Sequence, residues 1–249
     1  MSTFHDQRDR AESFGAVAEL YDRYRPDYSD ELIEALVALR PAAVLDVGCG
    51  TGKASRQLSA GGLDVLGVEI DAGMAAVARR HGVAVEVSSF EAWDDRGRTF
   101  DLIVSGQAWH WVDPAIGAPK LVRLLRAGGT VCLFWNYDDP DAAIQAAVED
   151  VYRRLAPELL GPERAGEDES ARDALRRTGC FGSVRSQRYR WTETLPVEDW
   201  IGRISTYSRQ LLLGPARLAE VQVALREALR DLGETVHLAA GTYAIWARP

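Results

Sequence analysis

Val44-Leu45-Asp46-Val47-Gly48-Cys49-Gly50-Thr51-Gly52 decides the reading of this chain. An apolar, β-branched run with one acid reads as a buried strand, and three alternate glycines follow it before a helical pattern begins at Lys53. Glycines at such a junction let the backbone approach a ligand closely, and the amides that open the helix can hydrogen-bond to it. The stretch calls for a nucleotide-like ligand. A phosphate-cradling loop ending at Lys53 requires Gly at 47 and Ser or Thr at 54, where Val47 and Ala54 stand, so that reading fails. A dinucleotide turn counted from Gly48 requires its third glycine at 53, and Lys53 weakens that reading without excluding it.

Working outward, strands are expected near 44–47, 64–69, 83–87, 100–105 and 129–135, separated by helical stretches, which is the pattern of a parallel sheet covered on both faces. Glu69 closes the second strand, where an acid can accept hydrogen bonds from both hydroxyls of a ribose. Upstream, residues 11–39 read as two helices broken at Pro26. Downstream, the composition after Asn136 shifts to a helix of about 15 residues and then a loop rich in Pro, Gly and acid. A helix near 170–178, a strand near 183–191, an amphipathic region from Val197 to Leu232 and a strand near 235–246 complete the chain.

The 249 residues suit one α/β domain with an added cap. A net charge of −8 without any Lys/Arg stripe disfavours nucleic-acid partners. Cys49, Cys132 and Cys180 form no CxxC and read as thiols of a reducing compartment, the first two as small core residues. No apolar run reaches the roughly 18 residues of a spanning helix, and Met1–Arg10 is polar, so the expectation is a cytoplasmic protein without membrane partners.

Asp46-x-Gly48-x-Gly50-x-Gly52 resembles the first motif of the class I S-adenosylmethionine-dependent methyltransferases, and "QAWHWVDP" at 107–114 is similar to the subfamily that includes the trans-aconitate methyltransferases. The resemblance covers roughly residues 12–136 by motif and the rest by layout. It implies a Rossmann-like, seven-stranded, mostly parallel sheet with helices on both faces, the last two strands a hairpin and the final strand antiparallel. Its parts are an N-terminal helical lid (1–40), a donor-binding core (41–136), a helical insertion (137–182) and C-terminal strands with cap helices (183–249). The implied cofactor is S-adenosylmethionine, leaving as S-adenosylhomocysteine. The implied partner is a small-molecule acceptor with a carboxylate or hydroxyl, and both monomer and homodimer stay open. An NAD-dependent oxidoreductase and a non-catalytic cofactor-binding module are the rival readings.

The resemblance also implies roles. Phe14, Gly15, Ala18, Tyr21, Asp22, Tyr24, Arg25 and Pro26 match a lid string FGxxAxxYDxYRP, which places Tyr21 and Arg25 over the cofactor and Tyr24 near the acceptor. Asp46, Gly48, Gly50, Gly52 and Glu69 hold the donor, and Ile70 and Met74 sandwich adenine. Many members carry Asp where Ser89 stands, so adenine recognition here passes to the Ser89 hydroxyl, to amides near Phe90 or to Glu91, which reads equally as a helix-start acid. Gln107 fixes the methionine end or its own loop. Trp109, His110, Trp135, Arg203 and Tyr207 are expected at the acceptor, with Arg25, Arg203 and Arg209 available as a fork for an acidic one and His110 as a candidate general base. No metal ligands are expected.

Overall fold

The computed structural model describes residues 14–160 and 169–249. The start of the lid segment (1–13) and the acidic loop at 161–168 lie outside the described residues. The strands are β1 Val44–Val47, β2 Val65–Glu69, β3 Ala84–Val87, β4 Phe100–Gly106, β5 Leu125–Pro140, β6 Ser183–Pro196 and β7 Thr235–Arg248. They form one sheet in the order β3-β2-β1-β4-β5-β7-β6. β1 pairs in parallel with β2 and β4, and β7 is antiparallel to both β5 and β6. This is the expected Rossmann-like sheet. Strand order reverses between β1 and β4, so the cleft beyond their carboxyl ends is where ligands of such sheets lie.

Alternation along β1 sorts the core into two layers. Leu45 and Val47 join Ile103, Leu133 and Ile245 on one face, packed by Leu121 and Leu124 of α5 (Pro114–Leu124) and Ala174 and Leu175 of α7 (Glu169–Arg177). Val44 joins Leu102, Val104 and Phe134 on the other, covered by Leu32 and Leu36 of α2 (Asp30–Val37) and Leu58 of α3 (Lys53–Ala60). α1 (Ala18–Tyr24) packs on α4 (Ala72–Arg80) through Ala18, Met74 and Val77. Cys49 and Cys132 are buried free thiols and Cys180 is exposed.

The last three strands outrun their expected lengths. β5 continues to Pro140, opposite Leu238, and β6 to Pro196, opposite Thr235. Their projecting ends carry the cap: α6 (Ala142–Leu155), α8 (Val197–Ser205), α9 (Ser208–Leu211) and α10 (Gly214–Leu229) bury Ile144, Val151, Trp200, Ile201 and Leu225 against Val236 and Leu238. The segment expected as one insertion at 137–182 therefore divides. Residues 137–140 finish β5, α6 joins the cap through Ile144 and Val151, and α7 lies on the sheet through Ala171, Ala174 and Leu175. Among the described residues, no helix is long and apolar enough to cross a membrane.

Candidate active site

Gly48, Gly50 and Gly52 all adopt positive φ, +68°, +57° and +85°. Their surroundings differ. A Cβ at Gly48 would overlap the Ala108 methyl, and one at Gly52 would stand 3.0 Å from Val83 Cγ2. At Gly50 the nearest atom is the flexible Met74 Cε at 3.4 Å, so this glycine faces the cleft. Asp46 lies beneath the turn, buried, and accepts a 2.6 Å hydrogen bond from Ser55 Oγ of α3. Burial raises its carboxyl to about 6 despite that bond. Asp46 thus braces the turn from behind.

Glu69 stands across the turn. Its Oε2 accepts from Gly50 N at 2.8 Å and its Oε1 from Asp71 N at 2.9 Å, which fastens the end of β2 to the glycine turn. Burial pushes its carboxyl up to about 7, against the pull of those two amides. Each carboxylate oxygen keeps a lone pair for a further donor. Asp71 caps α4 by accepting from Gly73 N and Met74 N, and its other oxygen accepts from Gly15 N at 2.8 Å. The lid is thereby pinned to the motif. Asp22 adds an ion pair to Arg56 at 2.7 Å and a hydrogen bond with His81 Nε2 at 2.9 Å, and Glu19 pairs with Arg80. Tyr21 meets Phe14 edge-on at 5.9 Å, and burial raises its phenol, with the Glu69 charge adding to the rise against Arg25. Ile70 follows Glu69, partly buried, and Met74 borders Gly50.

At the end of β3, Ser89 Oγ accepts from Ala92 N at 3.3 Å. The Phe90 ring is buried against Trp109. Glu91 accepts from Asp113 N at 2.9 Å and ties this loop to the start of α5. At the end of β4, Gln107 holds φ +57°, uncommon for a non-glycine residue, and is fixed by Gln107 N to Phe134 O at 2.8 Å and by its side chain to Asn136 O at 2.9 Å. Its amide thus orients its own loop. Trp109, expected at the acceptor, is instead core: it is 2% exposed, beneath the loop with Phe90 and Gly117.

Trp135 is buried as well, and its Nε1–H donates to His110 Nδ1 at 3.2 Å. An indole nitrogen only donates, so His110 Nδ1 accepts and its proton resides on Nε2. A proton delivered to Nδ1 would face the indole N–H. His110 is built as a donor, which counts against the general-base role.

The arginine fork is not assembled. Arg203 is 4% exposed and holds Glu193 in a bidentate pair at 2.7 and 2.9 Å, with Asp138 at 3.4 Å and the Tyr24 carbonyl at 3.3 Å. Tyr207 donates to Asp138 at 3.0 Å. Arg25 donates to Thr206 Oγ1 and O at 2.9 and 3.0 Å and lies over the rings of Tyr21 and Tyr207 at 5.0 and 4.1 Å. Arg209 holds the Glu158 and Leu160 carbonyls. Tyr24 packs on Gly202, where a Cβ would sit 2.7 Å from the ring. Arg25, Arg203 and Tyr24 join lid to cap, because a guanidinium this close to protein carboxylates and carbonyls satisfies them first.

Comparison with known proteins decides the family. The model of a methyltransferase domain family matches residues 44–129. An uncharacterized methyltransferase of Mycobacterium tuberculosis is 32% identical over 210 residues, 81% of this chain and 79% of the relative. This chain belongs to the class I S-adenosylmethionine-dependent methyltransferases. A malonyl-[acyl-carrier protein] O-methyltransferase of Enterobacter lignolyticus is 35% identical over 132 residues, 51% of this chain and 53% of the relative. A solved structure described as a type II methyltransferase from Anaeromyxobacter dehalogenans shares the fold, with TM-score 0.66, 24% identity and coverage of 90% and 98%.

For a methyltransferase of this class, the residues present fit the donor: an open glycine at 50, a carboxylate at 69 between two amides, and Met74 beside them. Three contributors were given no role from the sequence. Asp71 carried a signal, an acid directly before an Ala-Gly-Met helix start. Tyr28, buried with its ring edge-on to Phe134 at 4.6 Å and its backbone clamped by Gln57, packs its hydroxyl over Gly106 at the switch point. Lys120 carried no signal beyond being a lysine on the apolar side of α5.

Proposed function

We propose that this methyltransferase methylates a small molecule at an oxygen, and that the acceptor is a carboxylate rather than a hydroxyl. The observation that carries this reading is the hydrogen bond from Trp135 Nε1 to His110 Nδ1, which gives the loop beyond β4 a proton donor at the residue that was a candidate base. A carboxylate reaches the site already ionised and needs no base, whereas a hydroxyl needs one. The charge of −8 without a basic stripe supports a small acceptor over nucleic acid. The malonyl-[acyl-carrier protein] relative, by its name, methylates an oxygen, which supports the same class.

When bound, S-adenosylmethionine supplies a methyl group already activated on a sulfonium. The chain therefore has to align and exclude water, and positioning of this kind contributes roughly 7–11 kcal/mol. In this reading Glu69 takes the ribose hydroxyls, Ile70 and Met74 flank adenine, Ser89 and the Phe90 backbone read its edge, and Gln107 keeps the β4 loop in place. Lid and cap close the acceptor side, with Trp111, Asn136 and Tyr207 as its walls. The parts act as a lid (1–40), a donor core (41–136) and a cap carried on the projecting ends of β5, β6 and β7. Incubation with methyl-labelled donor and a panel of small carboxylates tests the reading. Label released as volatile methanol under alkali marks an ester; label that resists alkali marks a hydroxyl or amine acceptor and overturns it.

A further inference from the structure

Lys120 is buried on α5, and its ammonium donates to three backbone carbonyls of the loop after β3: Phe90 O at 2.7 Å, Trp93 O at 2.5 Å and Glu91 O at 3.4 Å. It also lies near the Phe90 and Trp93 rings, 5.2 and 5.6 Å from their centroids. Every hydrogen bond it makes among the described residues goes to a carbonyl. A buried ammonium without a carboxylate is a costly way to fill space on a helix face that otherwise presents Ala118, Leu121 and Leu124 to the core. The demand for it must come from the loop.

The same loop holds its remaining groups inward. Ser89 O accepts from Trp93 N at 2.9 Å and from Ser88 Oγ at 3.0 Å, and Ser89 Oγ accepts from Ala92 N. In a trans peptide the N–H points opposite its carbonyl, so fixing Ser89 O sets the direction of the Phe90 N–H. That N–H has no partner among the described residues. We propose that Lys120 is the positioning residue for adenine recognition. By clamping the Phe90, Glu91 and Trp93 carbonyls it holds the loop so that the Phe90 N–H meets a ring-nitrogen acceptor of adenine. Ser89 Oγ, in place of the absent acid, takes the amino group. The inference rests on the donor being S-adenosylmethionine and is independent of which acceptor is used.

Calorimetry with S-adenosylhomocysteine and S-inosylhomocysteine tests it without turnover. Hypoxanthine replaces the ring acceptor by an N–H and the amino group by a carbonyl, so the native protein should bind the inosyl ligand more weakly by about tenfold or more. In Lys120→Met, S-adenosylhomocysteine should weaken by about tenfold while the inosyl ligand changes little, so the discrimination collapses. Lys120→Gln, which keeps two donors without the charge, should fall between and covers a Met variant that fails to fold. Native protein that does not discriminate, or variants that keep the native ratio whether or not both affinities drop, would overturn the assignment. A protein that binds neither ligand would instead refute the donor itself.

Discussion

The proposed contact of Glu69 with the donor ribose predicts that donor binding is proton-linked. Its carboxyl is raised from 4.5 to about 7 by burial, which corresponds to about 3 kcal/mol of cost to its charged form. The sign follows from the direction. Between pH 4.5 and 7 the folded protein holds a proton that the unfolded chain has lost, so the group is harmless to folding at low pH and its penalty grows as pH rises through that window. In the proposed role, ribose hydroxyls would donate to this carboxylate and favour the ionised form, so the bound state would prefer the proton gone. Below about pH 7 binding must expel it, and affinity should fall roughly tenfold per pH unit there and level off above pH 8.

Isothermal calorimetry of S-adenosylhomocysteine at pH 6, 7 and 8, repeated in buffers of different ionisation enthalpy, measures both affinity and protons released. Close to one proton should leave at pH 6 and almost none at pH 8. Glu69→Gln is the control for every other titrating group. Its amide must present an N–H to either Gly50 N or Asp71 N, both of which donate, so the variant should bind about ten- to a hundredfold more weakly with a flat pH profile. Affinity independent of pH in the native protein, or an equal slope in Glu69→Gln, would refute the assignment of Glu69 to the ribose.

Asp46 predicts a stability effect of the same sign. Its carboxyl is raised from 3.8 to about 6, and an amide oxygen can still accept from Ser55. Asp46→Asn should therefore be more stable than the native protein at pH 8, by up to about 3 kcal/mol less the cost of a buried amide N–H, with the advantage vanishing as pH falls from 6 to 4; urea titrations at the two ends check this. The glycines separate packing from ligand approach. Both glycines hold positive φ, so either alanine carries backbone strain, but Gly48→Ala also collides with Ala108 and should melt lower, whereas Gly50→Ala meets only Met74 Cε, should melt nearer the native protein and should lose donor affinity, read by thermal shift with and without S-adenosylhomocysteine. Arg203→Met leaves Glu193 and Asp138 without their buried cation and should destabilise by about 2 kcal/mol, less than a fully buried pair because Glu193 is 29% exposed. Its S-adenosylhomocysteine affinity should stay within about threefold of native, since the Arg203 guanidinium is already engaged by Glu193, Asp138 and the Tyr24 carbonyl.

What the sequence revealed and what it hid divide along a physical line. The glycine turn, the first five strands and the place of Glu69 at the end of β2 were legible because each depends on local chemistry: alternation, a turn demanding positive φ, an acid at a strand end. The reach of β5, β6 and β7 was not, because their last residues are strand only by pairing with one another across long separations, as Pro140 with Leu238. Trp109 and Trp135 read as pocket walls because aromatic density beside a catalytic loop looks the same whether the rings face the cleft or the core. Arg203 read as an acceptor contact because nothing in 197–205 announces Glu193 or Asp138 as its partners.

Those distant partners say how lid and cap act together. Arg25 lies between the rings of Tyr21, whose phenol feels the Glu69 charge, and Tyr207, whose hydroxyl donates to Asp138 at the end of β5. Arg203 reaches the lid carbonyl of Tyr24 from α8. A lid tied only to the core could open without disturbing the cap. This one is tied at both ends, to Asp71 through Gly15 and to Thr206 through Arg25, so exposing the donor cleft means breaking contacts on the acceptor side as well. In the proposed reading, excluding water from the reacting methyl would then depend on the two halves together, as suits chemistry that relies on alignment more than on proton transfer.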